Sequence, residues 1–128
     1  LFPDGDTSDE PLEMAVSELI REAALDGVQD ELPHSIAVMV EEIVPREDRP
    51  VDRPLTDVRA TLFVERDSQK AIVIGRAGAR LKLIGAEARI DMERLLGTKV
   101  MLKLWVKVKS GWSDDERALK SLGYQEES

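Results

Sequence analysis

Apolar and polar positions alternate along this chain in two rhythms, and together they predict seven elements. Leu12, Ala15, Val16, Leu19, Ile20 and Ala23 recur at three- and four-residue steps, the signature of a helix with one buried stripe. Pro11 suits its first turn and Gly27 its stop. Residues 1–10 (Pro3, Asp4, Gly5, Asp6, Thr7, Ser8, Asp9) are polar and turn-forming and read as a linker. Ile36–Val44 is rich in β-branched residues and predicts a strand, as does Thr56–Glu65, where Val58, Ala60, Leu62 and Val64 alternate with Arg59, Thr61 and Phe63. Between them, residues 45–54 hold three prolines and a mixed charge run whose signs cancel, so a solvated loop is expected.

A short helix follows, with Ser68 as the expected N-cap. It runs through Ile72, Val73 and Ile74 into the turn Gly75-Arg76-Ala77-Gly78. The next helix places Leu81, Ile84, Ala88, Met92 and Leu95 on one face and stops at Gly97; Gly85 is expected to admit a close neighbour. Lys99–Lys109 alternates most cleanly, with Val100, Leu102, Leu104, Val106 and Val108 against Met101, Lys103, Trp105, Lys107 and Lys109. That alternation describes an antiparallel sheet covered on one face. A last helix is expected over Trp112–Gly123. The order α-β-β-α-α-β-α gives an α+β fold, a three-stranded sheet with helices over one face.

Charge changes the picture more than composition does. The chain of 128 residues carries a net charge of −8, which argues against a polyanionic partner. Its distribution argues the other way. Residues 1–67 hold 6 basic and 18 acidic side chains, whereas residues 68–109 hold 10 basic and 3 acidic. Polyanion binding responds to the patch within the roughly 10 Å screening length, so the local excess governs it. With no cysteine and one histidine, disulfides and thiolate metal sites are excluded, and His34 reads as structural. No apolar run approaches membrane-spanning length and no signal segment opens the chain, which fits a soluble intracellular protein. Beginning at Leu1 rather than methionine, the chain reads as a piece of something larger.

The turn is where chemistry is expected. Gly75 can take the positive φ that stops the first helix, and Gly78 lets the backbone approach a ligand. A phosphodiester could then meet the main chain and the positive end of the helix that follows. Alone, G-x-x-G also describes an ordinary interhelical turn. Here Ile72-Val73-Ile74 leads in, Arg80 and Lys82 follow, and an amphipathic helix continues, the context in which a KH domain clamps a single-stranded backbone.

The element order matches the type II KH arrangement. Leu32-Pro33-His34-Ser35-Ile36-Ala37-Val38, Val64-Glu65-Arg66-Asp67-Ser68-Gln69-Lys70, Ile84-Gly85-Ala86-Glu87-Ala88-Arg89 and Leu104-Trp105-Val106-Lys107-Val108 together resemble the C-terminal part of Era-family GTPases. The leader with Leu19-Ile20-Arg21-Glu22 and the ending Leu122-Gly123-Tyr124 extend the likeness along essentially the whole chain. That resemblance implies a type II KH domain over residues 11–128 that binds the 3′ end of small-subunit (16S) ribosomal RNA in ribosome assembly, joined in its parent to a GTPase domain absent here. It implies RNA contacts at Gly75, Arg76, Ala77 and Gly78, flanked by Lys70, Ile74, Arg80 and Lys82. Leu81 and Ile84 stand between groove floor and core. By the same resemblance the protein is cytoplasmic, peripheral at the inner face of the cell membrane and without stable insertion.

GTP and magnesium are implied only for the missing domain. No G-x-x-x-x-G-K-[ST] pattern occurs, so this chain is expected neither to bind nor to hydrolyse GTP. An independent enzyme is disfavoured, since no activated nucleophile or paired carboxylates are recognisable. The other alternative is a KH-shaped protein-interaction or regulatory domain with little RNA affinity, which the acidic total would suit. Lys103, Trp105 and Lys107 share one strand face and could stack and neutralise nucleic acid; a solvated outer face, or one docked on the GTPase domain, are the competing readings.

Overall fold

The computed structural model describes residues 9–28 and 36–110. Three α-helices and three strands are present in it, α1 (Asp9–Leu25), β1 (Ile36–Pro45), β2 (Leu55–Val64), α2 (Asp67–Ile74), α3 (Ala79–Leu96) and β3 (Lys99–Val108), with one 3-10 turn at Arg76–Gly78 between α2 and α3. The expected helix over Trp112–Gly123 and the histidine at position 34 lie outside the described residues. The fold is α+β, as the two hydrophobic rhythms predicted. Helix α1 begins at Asp9, so Pro11 falls in its first turn.

The sheet order is β1-β2-β3. β1 and β2 are antiparallel, but β2 and β3 run parallel, which corrects the expectation of an antiparallel sheet. Alternating burial records only that helices cover one face. The direction of β3 is set by its connection, because α2 and α3 form a crossover long enough to return the chain to the same end of the sheet.

A bulge keeps β1 in phase with the core. Val40 pairs with Ala60 and Glu42 with Arg59, leaving Glu41 as an extra residue. Ile36, Val38 and Val40 face the helices before it, and the one-residue shift returns Ile43 to that face opposite Val58. Glu41 turns to the other side, where its Oε2 accepts from the Thr61 hydroxyl at 2.8 Å. Thr61 is thereby satisfied although it is buried.

Val16 and Ile20 of α1, Val73 of α2, and Ile84, Ala88 and Met92 of α3 meet Val58, Leu62 and Val64 of β2 in one cluster. Fully burying such an aliphatic side chain stabilises by about 1.5–3 kcal/mol. Leu95, expected on this face, is exposed and Leu96 packs on the core instead.

Helix α2 is capped differently from the expectation. Its N-cap is Arg66, and Ser68 is an exposed residue inside the helix. Gln69 reaches back so that its Oε1 accepts from the backbone N–H groups of Glu65 and Arg66, both at 3.0 Å. The glutamine half of a capping box thus does the work.

Candidate nucleic-acid interface

The turn after α2 is built by its glycines. The Gly75 N–H closes α2 on the Ala71 carbonyl at 2.9 Å. Gly75 then takes φ 75° and ψ −180°, a conformation essentially confined to glycine. A Cβ at this position would lie 2.6 Å from the Arg80 Cβ, so the close backbone approach belongs to Gly75. At Gly78 (φ 78°) a Cβ would meet nothing within 4 Å, leaving open space for a ligand rather than a protein neighbour. Between them Arg76–Gly78 makes one 3-10 turn in which Ala77 adopts φ 54° and ψ 27°, rare for a residue with a Cβ.

That turn uses up part of what the following helix was expected to offer. The Gly78 N–H donates to the Gly75 carbonyl at 3.2 Å, and the Ala79 N–H donates to the Arg76 carbonyl. The amides of Arg76 and Ala77 donate to no carbonyl among the described residues, and both residues are exposed. Two bare amides and an arginine therefore sit at the positive end of an 18-residue helix.

Next to the turn a groove of about 330 Å³ runs between α3 and β3, lined by Gly78, Leu81, Lys82, Gly85 and Arg89 on one side and Leu102 and Leu104 on the other. β3 is the last strand of the sheet, so its outer edge borders this groove. Of the expected contacts, Gly78 and Lys82 line the groove, while Gly75, Arg76 and Ala77 precede Gly78 in the turn and line no part of it. Lys70 and Ile74 are half-buried on α2 and line no part of it. Leu81 and Ile84 separate: Leu81 lines the groove, and Ile84 is core.

Arg80 needs a separate account, since it lines no part of the groove. Its Nη2 donates to the Ala24 carbonyl at 2.9 Å and the Asp26 carbonyl at 2.8 Å, so the guanidinium is committed to the end of α1. Gly85 needs a correction, since a Cβ there would meet nothing within 4 Å; it widens the groove rather than seating a neighbour. Sequence reasoning missed Arg89, Leu102 and Leu104. The signal was present in the spacing of Gly78, Lys82, Gly85 and Arg89, steps of four, three and four that mark one helical stripe.

Arg89 is held at the groove by Glu93, whose Oε2 accepts from Arg89 Nη1 at 3.1 Å and from the Val100 N–H at 3.0 Å. The Val100 hydrogen bond, then the Lys99 and Arg89 charges, hold the Glu93 carboxyl below its usual range against the opposing effect of burial. A depressed folded-state pKa contributes stability that is complete above the unfolded value and lost as pH falls through the folded one. The melting-temperature gap between wild type and Glu93→Gln should be constant above about pH 5 and shrink below about pH 4. A gap that stays unchanged down to pH 2 would contradict this.

The opposite sheet face carries Lys103, Lys107 and Trp105, which is 44% exposed and pairs with Thr61 of β2. It is separated from the groove by the sheet itself. The β1–β2 connection is charged and exposed, as its composition predicted; Arg46 Nε donates to Asp57 Oδ2 of β2 at 2.9 Å, and Arg49 Nε to the Arg53 carbonyl at 3.3 Å.

For a nucleotide the described residues offer a poor fit. Gly75–Gly78 follows a helix instead of a strand and is succeeded by Ala79-Arg80 where a phosphate loop needs Lys-Ser/Thr. Among the described residues no group of three or more His, Cys, Asp or Glu could hold a metal ion, and no helix is long and apolar enough to cross a membrane.

Comparison with known proteins agrees with this geometry. The KH domain model matches residues 31–113. The GTPase Era of Streptomyces coelicolor is 57% identical over 124 residues, covering 97% of this chain and 39% of that protein. The GTPase Era of Mycobacterium avium is 57% identical over 96% of this chain and 40% of its own length. Among solved structures, Era in complex with MgGDPNP and nucleotides 1506–1542 of 16S ribosomal RNA superposes with a TM-score of 0.82 at 36% identity, over 98% of this chain and 41% of that one. Aquifex aeolicus Era bound to GDP and aluminium fluoride gives 0.80 at 37% identity, over 91% and 38%. The chain spans about two fifths of the length of these relatives, matching their C-terminal region, and it belongs to the KH-domain family.

Proposed function

We propose that this chain is the single-stranded RNA-binding module of an Era-like GTPase, and that it takes the 3′ end of small-subunit ribosomal RNA during assembly of that subunit. The observation that carries this reading is the continuity of the turn with the groove. Bare amides at Arg76 and Ala77 and the open side of Gly78 give onto a trough whose rim bears Lys82 and Arg89 and whose walls are Leu81, Leu102 and Leu104. Phosphates would lie along the turn and the cationic α3 side, and bases would rest on the leucines beside the β3 edge. The captured RNA of the homologous Era complex supports the choice of ligand.

In this reading GTP binding and hydrolysis, with their magnesium, belong to the part of the parent protein outside this chain, and the module itself is not catalytic. The parent acts in the cytoplasm on the small ribosomal subunit, with peripheral association at the inner membrane face and no stable insertion.

Titration with a short single-stranded RNA from the 3′ end of the small-subunit ribosomal RNA, at several salt concentrations, tests the assignment. Affinity should fall with salt at a log–log slope of about −0.7 per phosphate contacted, despite the net charge of −8. No binding at low salt would return the KH-shaped protein-interaction domain as the better reading. A flat salt response would place Arg76, Lys82 and Arg89 outside the contact.

A further inference from the structure

Arg80 lies in the first turn of α3, two residues beyond Gly78, yet its side chain leaves the RNA side altogether. Helix α1 ends at Leu25 with no basic residue in its last turn. Its terminal carbonyls lack intrahelical partners and form the negative end of a helix dipole. The Arg80 guanidinium supplies what α1 lacks from more than fifty positions away, donating through Nη2 to both Ala24 and Asp26. Its Nε is buried without a partner among the described residues, a cost that an arginine reaching for phosphate in solvent would not carry. The backbone of Arg80 is also what Gly75 packs against, with the amide 3.0 Å and the Cβ 2.6 Å from where a Gly75 Cβ would stand.

We propose that Arg80 is a positioning residue of the RNA site: it ties the first turn of α3 to the end of α1 and so fixes the Gly75–Gly78 turn in its ligand-ready shape without touching RNA. The inference rests on the RNA-binding reading above and makes α1 part of the site, although α1 contributes no lining residue to the groove. Without the strut the turn would have to be ordered at the moment of binding, and that ordering would appear as lost affinity. A phosphate-contacting arginine would instead lose affinity together with salt dependence.

The experiment compares wild type, Arg80→Met, Arg80→Lys and Lys82→Met by titration with the same single-stranded ribosomal RNA 3′ end across salt, and by backbone NMR of the free proteins. Met keeps the apolar stem and removes the donors; Lys keeps the charge but not the planar fork. Positioning predicts that Arg80→Met binds about tenfold or more weakly with the wild-type salt slope, and that Gly75 to Gly78 amide signals move in the free variant. Arg80→Lys should also lose affinity at unchanged slope, whereas Lys82→Met should flatten the slope by about 0.7. Should Arg80→Met fail to fold, the Lys variant carries the test alone. A slope reduced in Arg80→Met as in Lys82→Met, or wild-type affinity in Arg80→Lys, overturns the positioning role while leaving RNA binding intact. Absence of binding by wild type overturns the RNA reading itself.

Discussion

Gly75→Ala should be among the most damaging single-methyl additions in the molecule, destabilising it by about 3 kcal/mol or more. Two effects combine at this position. The backbone sits at φ 75° and ψ −180°, where a residue with a Cβ is strained by about 1–3 kcal/mol. The added methyl would also stand 2.6 Å from the Arg80 Cβ and 3.0 Å from its amide nitrogen, parts of the α3 backbone and stem that cannot swing aside. Relief requires α3 to shift against α2, and α3 carries Ile84, Ala88 and Met92 into the core. For a domain of this size about 1 kcal/mol corresponds to about 4–8 °C, so the melting temperature should fall by more than about 10 °C. Gly78→Ala is the control: its φ is also positive, but a Cβ there meets nothing, and the cost should be near the roughly 1–2 kcal/mol of a left-handed alanine. Thermal unfolding of both variants decides the matter. A Gly75→Ala protein melting no lower than Gly78→Ala would show that the contact with Arg80 is easily relieved.

This asymmetry between two glycines illustrates what a sequence can and cannot carry. The periodicity of Leu12 to Ala23 and the alternation of Val100 to Val108 are local, repeated signals, and the structure honours both. The stop at Gly75 was legible because ending α2 directly before another helix needs a positive φ. Which glycine approaches the protein and which leaves room for a ligand was not legible, since that depends on where Arg80 lies in space. The parallel pairing of β2 and β3 leaves no mark on the alternation of either strand. Arg80 shows the same limit most sharply: beside Lys82 it reads as one more cation near a phosphate site, and only its distance to Ala24 and Asp26 reveals a different task. Arg89 could have been found, because its stripe with Gly78, Lys82 and Gly85 needs only the helical period.

Replacing Arg76 and Ala77 together by aspartate should abolish RNA binding while leaving the fold nearly intact. Both side chains are exposed on the turn, and neither belongs to the core cluster. Ala77 already occupies the left-handed region at φ 54°, which aspartate tolerates better than most residues. The change in stability should therefore stay within about 0.5 kcal/mol, as for surface positions without special partners. At the ligand the effect differs in kind. One positive charge leaves and two negative charges arrive beside the amides of residues 76 and 77, the groups that carry no carbonyl partner among the described residues. Each repulsive pair near 4 Å is worth about 1 kcal/mol in water and several times that where the contact excludes solvent. Two such carboxylates facing a phosphodiester, added to the lost arginine, amount to at least about 3 kcal/mol, or a hundredfold in affinity. Thermal unfolding and RNA titration on the same preparations separate the two effects. A folded double variant that still binds with wild-type affinity would leave Gly75–Gly78 as an ordinary interhelical turn and move the RNA site elsewhere.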